Sequence, residues 1–381
     1  MKKFFIFLFV LSPYFSGAQD ISYNRKMVDT LASPFFWGRG YTKDGMKKAA
    51  AFLAGQLIMA GLIPLGSKDY LQPFTYPVNT FPGDMDVEIN NKKLVPGVDF
   101  IVSPDSKGIK LKGKLLQADS THFSDAEGRV IFALENKLTW SAEQEQSDGT
   151  VIQLDRKRMK DIPGSFKIKI ETKQITDFKA SNVCAMVRGT EKPDSFIFIT
   201  AHYDHLGGMG KDTYFPGAND NASGVALLLS LAKYYAAHTQ KYSMGFILFA
   251  GEEIGLLGSK YYTEHPLTPL KNIRFLTNTD LTGTGEEGIT VVNATVFPKE
   301  FALMNKINDE NKYLVSVGAR GKAANSDHYW FTEKGVPSFF FYTKGGITAY
   351  HDVFDKAATL PLTEQADLMQ LMIKFNEGLQ K

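Results

Sequence analysis

From about residue 182 onward the chain alternates short apolar runs with helical stretches, and this rhythm constrains the fold more than any other feature. "SFIFITAH", "MGFILFAG", "NIRFLTNTD", "ITVVN" and "VPSFFFYT" are apolar runs of strand length. Between and after them, "NASGVALLLSLAKYYAAH", "PKEFALMNKINDEN" and "LTEQADLMQLMIKFNEGL" repeat apolar residues at helical spacing, with Asn221 or Ser223 placed to cap the first. Strands alternating with helices predict an α/β fold whose sheet is covered on both faces.

Upstream the rhythm differs. Residues 22–63 read as helical, interrupted at "WGRGYTKDG". From 70 to 175 short runs such as "DVEIN", "VDFIV", "GRVIFAL" and "FKIKIET" alternate with turn residues, which predicts a small β-rich accessory segment. "SAEQEQSDG" within it reads as an exposed polar loop. The chain thus divides into a leader at 1–18, a helical part at 19–69 packed on the α/β domain, the accessory segment at 70–175, and the α/β domain at 176–381.

The leader has Lys2 and Lys3, an apolar run from Phe4 to Leu11, then small residues Ser16 and Ala18. This is the pattern of a secretory signal peptide cleaved after Ala18. The run is too short to span a bilayer, so no stable membrane anchor is expected after cleavage. The protein is expected to be exported, to the periplasm or beyond the cell. The 43 basic and 41 acidic residues nearly balance, so the charge footprint of a nucleic-acid binder is absent. The single cysteine, Cys184, excludes an intramolecular disulfide and lies in an apolar run, where a thiol serves as a small core residue.

The polar residues that end the predicted strands are the chemically informative ones. "HYDHLG" brings His202, Asp204 and His205; "GANDNASG" brings Asp220; "GEEIGLLGS" brings Glu252 and Glu253; "NTDLTG" brings Asp280; the last strand leads to His351. In open α/β sheets, sites form beyond the carboxyl ends of the strands. Any one of these residues alone would read as structural: a core histidine, a helix-start acid, a turn former. Together they deliver His, Asp, Glu, Asp and His to one rim, a ligand set that suits zinc. Two histidines and three acids exceed what one tetrahedral ion needs while also holding water. They fit two ions sharing a carboxylate, a pair that can activate water and stabilise an oxyanion.

At these motifs the chain resembles the co-catalytic zinc aminopeptidases, a family that also includes glutamate carboxypeptidases and glutaminyl cyclases. The resemblance spans roughly residues 182–380 and, more weakly, "LASPFFWGRGYTKDGMKKAAAFL". It implies a zinc exopeptidase-like fold, with a mixed, mostly parallel sheet sandwiched by helices. It implies peptide substrates and two zinc ions per chain. By that resemblance His202 and Asp280 would bind one ion, Glu253 and His351 the other, and Asp220 both. Asp204 would orient the His202 ring. Glu252 would be the general base, taking a proton from the attacking water and passing it to the leaving amine. The Asp220–Asn221 peptide would be cis.

The family's last motif often runs His-Thr-Pro and then Asp; here it is His351-Asp352-Val353-Phe354-Asp355, without Thr-Pro. In "ANSDHYWF", Ser326, Asp327 and His328 are candidates to line a substrate pocket. No tyrosine is assigned to the oxyanion. The leading functional expectation is a metallo-aminopeptidase. The alternatives are a single-zinc glutaminyl cyclase, a carboxypeptidase using Arg320, Lys322 and Lys344, or a binding module on an inactive scaffold. The last is disfavoured because all five ligands and Glu252 are present.

Overall fold

Four strands, Tyr242–Phe249, Lys192–His202, Ile273–Thr279 and Ser338–Thr343, lie side by side and run parallel, which brings their carboxyl ends to one edge. The computed structural model describes residues 18–66 and 68–381. The expected leader therefore lies, Ala18 apart, outside the described residues. No described helix is long and apolar enough to cross a membrane.

The parallel core is extended into a mixed nine-stranded sheet. Lys173–Val187 adds antiparallel to Tyr242–Phe249, and Leu71–Thr80 pairs antiparallel with it. On the other side Ile289–Val292 runs antiparallel to Ser338–Thr343 and carries Val317–Ala319. Strand 192–202 is buried from Ser195 to His202, as a strand covered on both faces must be. One face packs under helices Gly45–Met59, Gly224–Ala237 and Gln365–Gly378. The other holds Cys184, Phe198, Phe249, Tyr262 and Phe331 in a second apolar layer. Cys184 is fully buried, as its apolar run predicts.

The sequence locates the strands and long helices of this domain well. Two short helices, Leu257–Glu264 and His328–Glu333, have too few turns to give a periodic signal. Ser223 stands at the N-cap position without a side-chain cap bond, and Asn221 supplies the bond instead: its Oδ1 accepts the Gly224 N–H at 2.9 Å and its Nδ2 donates to Thr279 O at 3.0 Å. Gly224 admits this approach, since a Cβ there would stand 2.7 Å from Thr279 O.

The accessory segment forms a five-stranded and a four-stranded sheet around Phe100, Phe132, Ile152, Phe166 and Ile168. Its expected limits at 70 and 175 fall next to or inside strands 71–80 and 173–187, which belong to the main sheet. The β-rich unit itself is inserted between those two strands. Its core is continuous with Leu206, Met209, Phe215 and Val353 of the α/β domain, so the two units share buried apolar surface. "SAEQEQSDG" is docked instead of freely exposed. Glu143 O accepts the Asn79 N–H at 2.9 Å, and Gln144 Nε2 donates to Ile254 O at 3.2 Å.

Candidate metal centre

The strand ends bring His202, Asp220, Glu252, Glu253, Asp280 and His351 to one place. His202 closes strand 192–202 with its side chain 1% exposed, and its Nε2 lies 3.2 Å from Asp280 Oδ2 and 3.4 Å from Asp220 Oδ1. His351 Nε2 lies 3.1 Å from Glu253 Oε2 and 3.1 Å from Asp220 Oδ2. The two oxygens of Asp220 thus face different histidines, with Asp280 on one side and Glu253 on the other. The Asp220–Asn221 peptide is cis.

Two sets of ligand atoms lie within 4.8 Å of one another: those of His202, Asp220 and Glu253, and those of His202, Glu252 and Asp280. Buried polar atoms normally find partners. Here His202 Nε2 and Asp280 Oδ1 are buried without a hydrogen bond. Imidazole nitrogens and carboxylate oxygens that converge with lone pairs unused are what a zinc pair requires, so the residues fit such a group.

Electrostatics separate the two adjacent glutamates. Burial would raise Glu253, but the His351 and His205 rings hold its carboxyl well below the usual range. Burial raises Glu252 well above it against the pull of His202, and repulsion from Asp327, Glu253 and Asp280 adds to the rise. Asp280 is also raised by burial, with Asp220 and Glu253 repelling it. The cluster therefore concentrates negative charge that a cation would relieve.

Asp204 is fully buried, but its carboxylate does not orient His202 as the resemblance implies. The His202 Nδ1–H donates to the Asp204 backbone carbonyl at 3.2 Å, while the carboxylate Oδ1 stands 3.8 Å from that nitrogen. The carboxylate instead accepts the backbone N–H groups of Glu252 at 3.2 Å and Glu253 at 3.4 Å. Those amides leave the end of the neighbouring strand, and a buried carboxylate satisfies them.

Ser326, Asp327 and His328 do not line an open pocket; all three have no exposed surface. Ser326 Oγ accepts Asn278 Nδ2 at 2.8 Å beneath the sheet edge. Burial pushes Asp327 up to about 7 and His328 down to about 3, so His328 is a neutral core ring, packed 5.3 Å from Phe340. Of the basic residues a carboxypeptidase could use, Lys322 is paired with Glu333 and Arg320 donates to the Tyr342 hydroxyl at 3.2 Å.

Three contributors have no assigned role in the sequence reading. His205, fully buried, donates from Nδ1 to Glu253 Oε1 at 2.5 Å; the second histidine of "HYDHLG" was the available signal. Arg39, fully buried in the "WGRG" turn, donates to the carbonyls of Leu31, Tyr203, Pro216, Gly217 and Asp220 at 2.8–3.2 Å. It ties the loop after His202 to the loop that carries Asp220. Tyr350 stacks on the His351 ring at 4.0 Å and 16°. Burial and the carboxylates of Asp220, Glu253, Asp280 and Glu252 keep its hydroxyl protonated.

Residues 182–376 match the model of peptidase family M28. The chain belongs to this family. Among curated relatives, this M28 chain is 37% identical over 114 residues to a probable zinc metalloprotease of Pyricularia oryzae, a match covering 29% of this chain and 23% of that protein. It is 28% identical over 177 residues to aminopeptidase YwaD of Bacillus subtilis, covering 45% and 37%. It thus spans well under half the length of these two relatives. Among solved structures, it superposes on BSAP, a zinc aminopeptidase from Bacillus subtilis, with a TM-score of 0.69 at 17% identity, covering 94% of this chain and 95% of that one. It superposes on the peptidase M28 precursor of Shewanella amazonensis with a TM-score of 0.66 at 16% identity, covering 96% and 98%. The M28 chain therefore has the mixed α/β fold of these structures, accessory region included.

Proposed function

We propose that the protein is an exported, zinc-dependent aminopeptidase that removes residues from the N-termini of peptides. The observation that carries this reading is the shared Asp220 carboxylate, whose oxygens face His202 at 3.4 Å and His351 at 3.1 Å. It is supported by family membership and by relatives named as aminopeptidases. Export rests on the leader motif at residues 1–18.

In this reading His202 and Asp280 would hold one ion, Glu253 and His351 the other, and Asp220 would be a ligand to both. Bound there, a zinc pair supplies Lewis acidity to the attacking water and the scissile carbonyl. Glu252, whose carboxyl burial makes more basic, accepts the proton of the water and returns it to the leaving amine. Asp204 fixes the backbone from which Glu252 and Glu253 diverge. His205 orients the Glu253 carboxylate through its 2.5 Å contact. Tyr350, 42% exposed beside His351, donates its hydroxyl to the carbonyl oxygen as negative charge develops there.

The test is a panel of aminoacyl p-nitroanilides with free and blocked amines, assayed with and without chelator. Cleavage of free-amine substrates alone, lost on chelation and restored by zinc, is the expected result. Cleavage confined to blocked substrates, or cyclisation of N-terminal glutamine, would sink the aminopeptidase reading.

A further inference from the structure

The last candidate ligand is held from outside its own domain. The His351 Nδ1–H donates to the carbonyl of Trp140 at 2.9 Å, and the Trp140 N–H donates to the carbonyl of His351 at 2.9 Å. One residue of the inserted unit thus grips both the ring and the backbone of His351. That grip matters because His351 sits at φ 53°, in the left-handed region that a side chain disfavours unless its surroundings impose it.

Trp140 is itself fixed. It is 4% exposed, its indole Nε1–H donates to Val102 O at 2.7 Å, and its ring stacks on Phe215 at 4.6 Å and 22°. Two neighbours extend the grip. Lys137 Nζ donates to Thr348 O at 3.2 Å, on the loop before His351. Gln144 Nε2 donates to Ile254 O at 3.2 Å, on the residue after Glu253. The segment 137–144 therefore touches the two loops that carry Glu253 and His351. His202 and Asp280 are held by the α/β domain, through Asp204 O at 3.2 Å on the His202 ring and Phe341 O at 3.2 Å on the Asp280 N–H.

We propose that the accessory unit is a working part of the metal centre: the Trp140 peptide clamps His351 and sets the cation affinity of the Glu253/His351 half, while the His202/Asp280 half is independent of it. The carbonyl fixes the His351 tautomer with Nε2 free to ligate, which is what hydrogen-bonded partners of metal-binding histidines do. Loosening the accessory unit then unloads one half of the centre first. This rests on the reading of the site as a pair of zinc sites.

The experiment is zinc release from the whole protein against increasing chelator, read by elemental analysis. The release step that disappears in His351→Gln marks the Glu253/His351 half. Trp140→Ala is expected to shift that step to chelator concentrations at least about 10-fold lower and leave the other in place, the range for lost ligand-orienting partners. Trp140→Phe, which keeps the stacking and the hydrogen bonds of the residue 140 peptide group to His351, is expected to stay near wild type. The paired variant Lys137→Ala/Gln144→Ala, whose side chains lie outside the apolar core, keeps the test open if Trp140→Ala does not fold; it is expected to shift the same step by about 5-fold, the effect of losing two hydrogen bonds at the weak end of their range. A readout without metal is the His351 Nδ1–H signal in the nuclear magnetic resonance spectrum of the metal-free protein, slowly exchanging in wild type and lost in Trp140→Ala. Two ions in wild type with both steps shifted equally, or neither shifted, would overturn the clamp alone. Fewer than two ions in wild type would overturn the two-site reading beneath it.

Discussion

Asp355 Oδ2 accepts the backbone N–H of Asp220 at 2.9 Å, and both its oxygens accept the N–H of Asn219, at 2.8 and 3.0 Å. A fully buried carboxylate four residues after His351 thus sets the backbone of Asp220, the proposed shared ligand. Asp355→Ala is expected to lower zinc affinity by about 10- to 100-fold, the range for groups that orient ligands. Asp355→Asn keeps one acceptor oxygen and should fall between. Chelator competition measures both, and wild-type affinity in Asp355→Ala would show that the Asn219–Asp220 backbone is held by other contacts.

Glu252 and Glu253 should separate cleanly on mutation. Glu252→Gln keeps the shape and removes the base, so turnover should fall by roughly 10²- to 10⁴-fold with zinc content unchanged. Glu253→Gln should lose zinc. The paired readout is the kcat of each variant beside its metal stoichiometry. Equal zinc loss in both would refute the division of labour.

Tyr350→Phe removes only a hydroxyl beside His351. If it donates to the developing oxyanion, kcat should drop by about 10²-fold or more while KM changes little. A rise in KM alone would assign Tyr350 to substrate binding.

The metal-free protein should lose stability as pH rises. Burial holds Asp204 and Asp327 up to about 7, against an ordinary carboxyl value of 3.8. The folded state therefore keeps protons that the unfolded chain releases. Their contribution is fully present below pH 3.8 and is lost as pH climbs through about 7, by at most about 1.4 kcal/mol per unit for each group. His328, held to about 3, contributes the opposite slope below its ordinary 6.5. Comparing Asp327→Asn with wild type isolates the carboxyl: urea unfolding between pH 4 and 8 should show a smaller decline in the variant. An unchanged decline would contradict this.

Much of the α/β domain is legible because its signals are local. Continuous apolar runs such as "SFIFITAH" become buried strands, and three of them, "SFIFITAH", "MGFILFAG" and "NIRFLTNTD", end at or just before polar residues that stand at the site. His202, Glu252, Glu253 and Asp280 follow from reading where the runs stop. His351 and Asp220 need only the added rule that the carboxyl ends of parallel strands share an edge.

The sequence by itself thus determined the order of the main strands and long helices of the α/β domain, the candidate ligand set and its resemblance to a family. Only the tertiary structure decided how those residues are held. Trp140 and His351 are 211 positions apart, and Arg39 reaches carbonyls up to 181 positions away. Such bonds depend on backbone carbonyls and on where separate elements dock, and neither leaves a periodic trace along the chain. The same holds for Asp204, whose carboxylate serves the Glu252 and Glu253 amides of a neighbouring strand end. Residue type announces that a group can ligate or bond. Which partner it takes is settled by burial, because a polar group removed from water bonds to whatever the packed fold brings within reach.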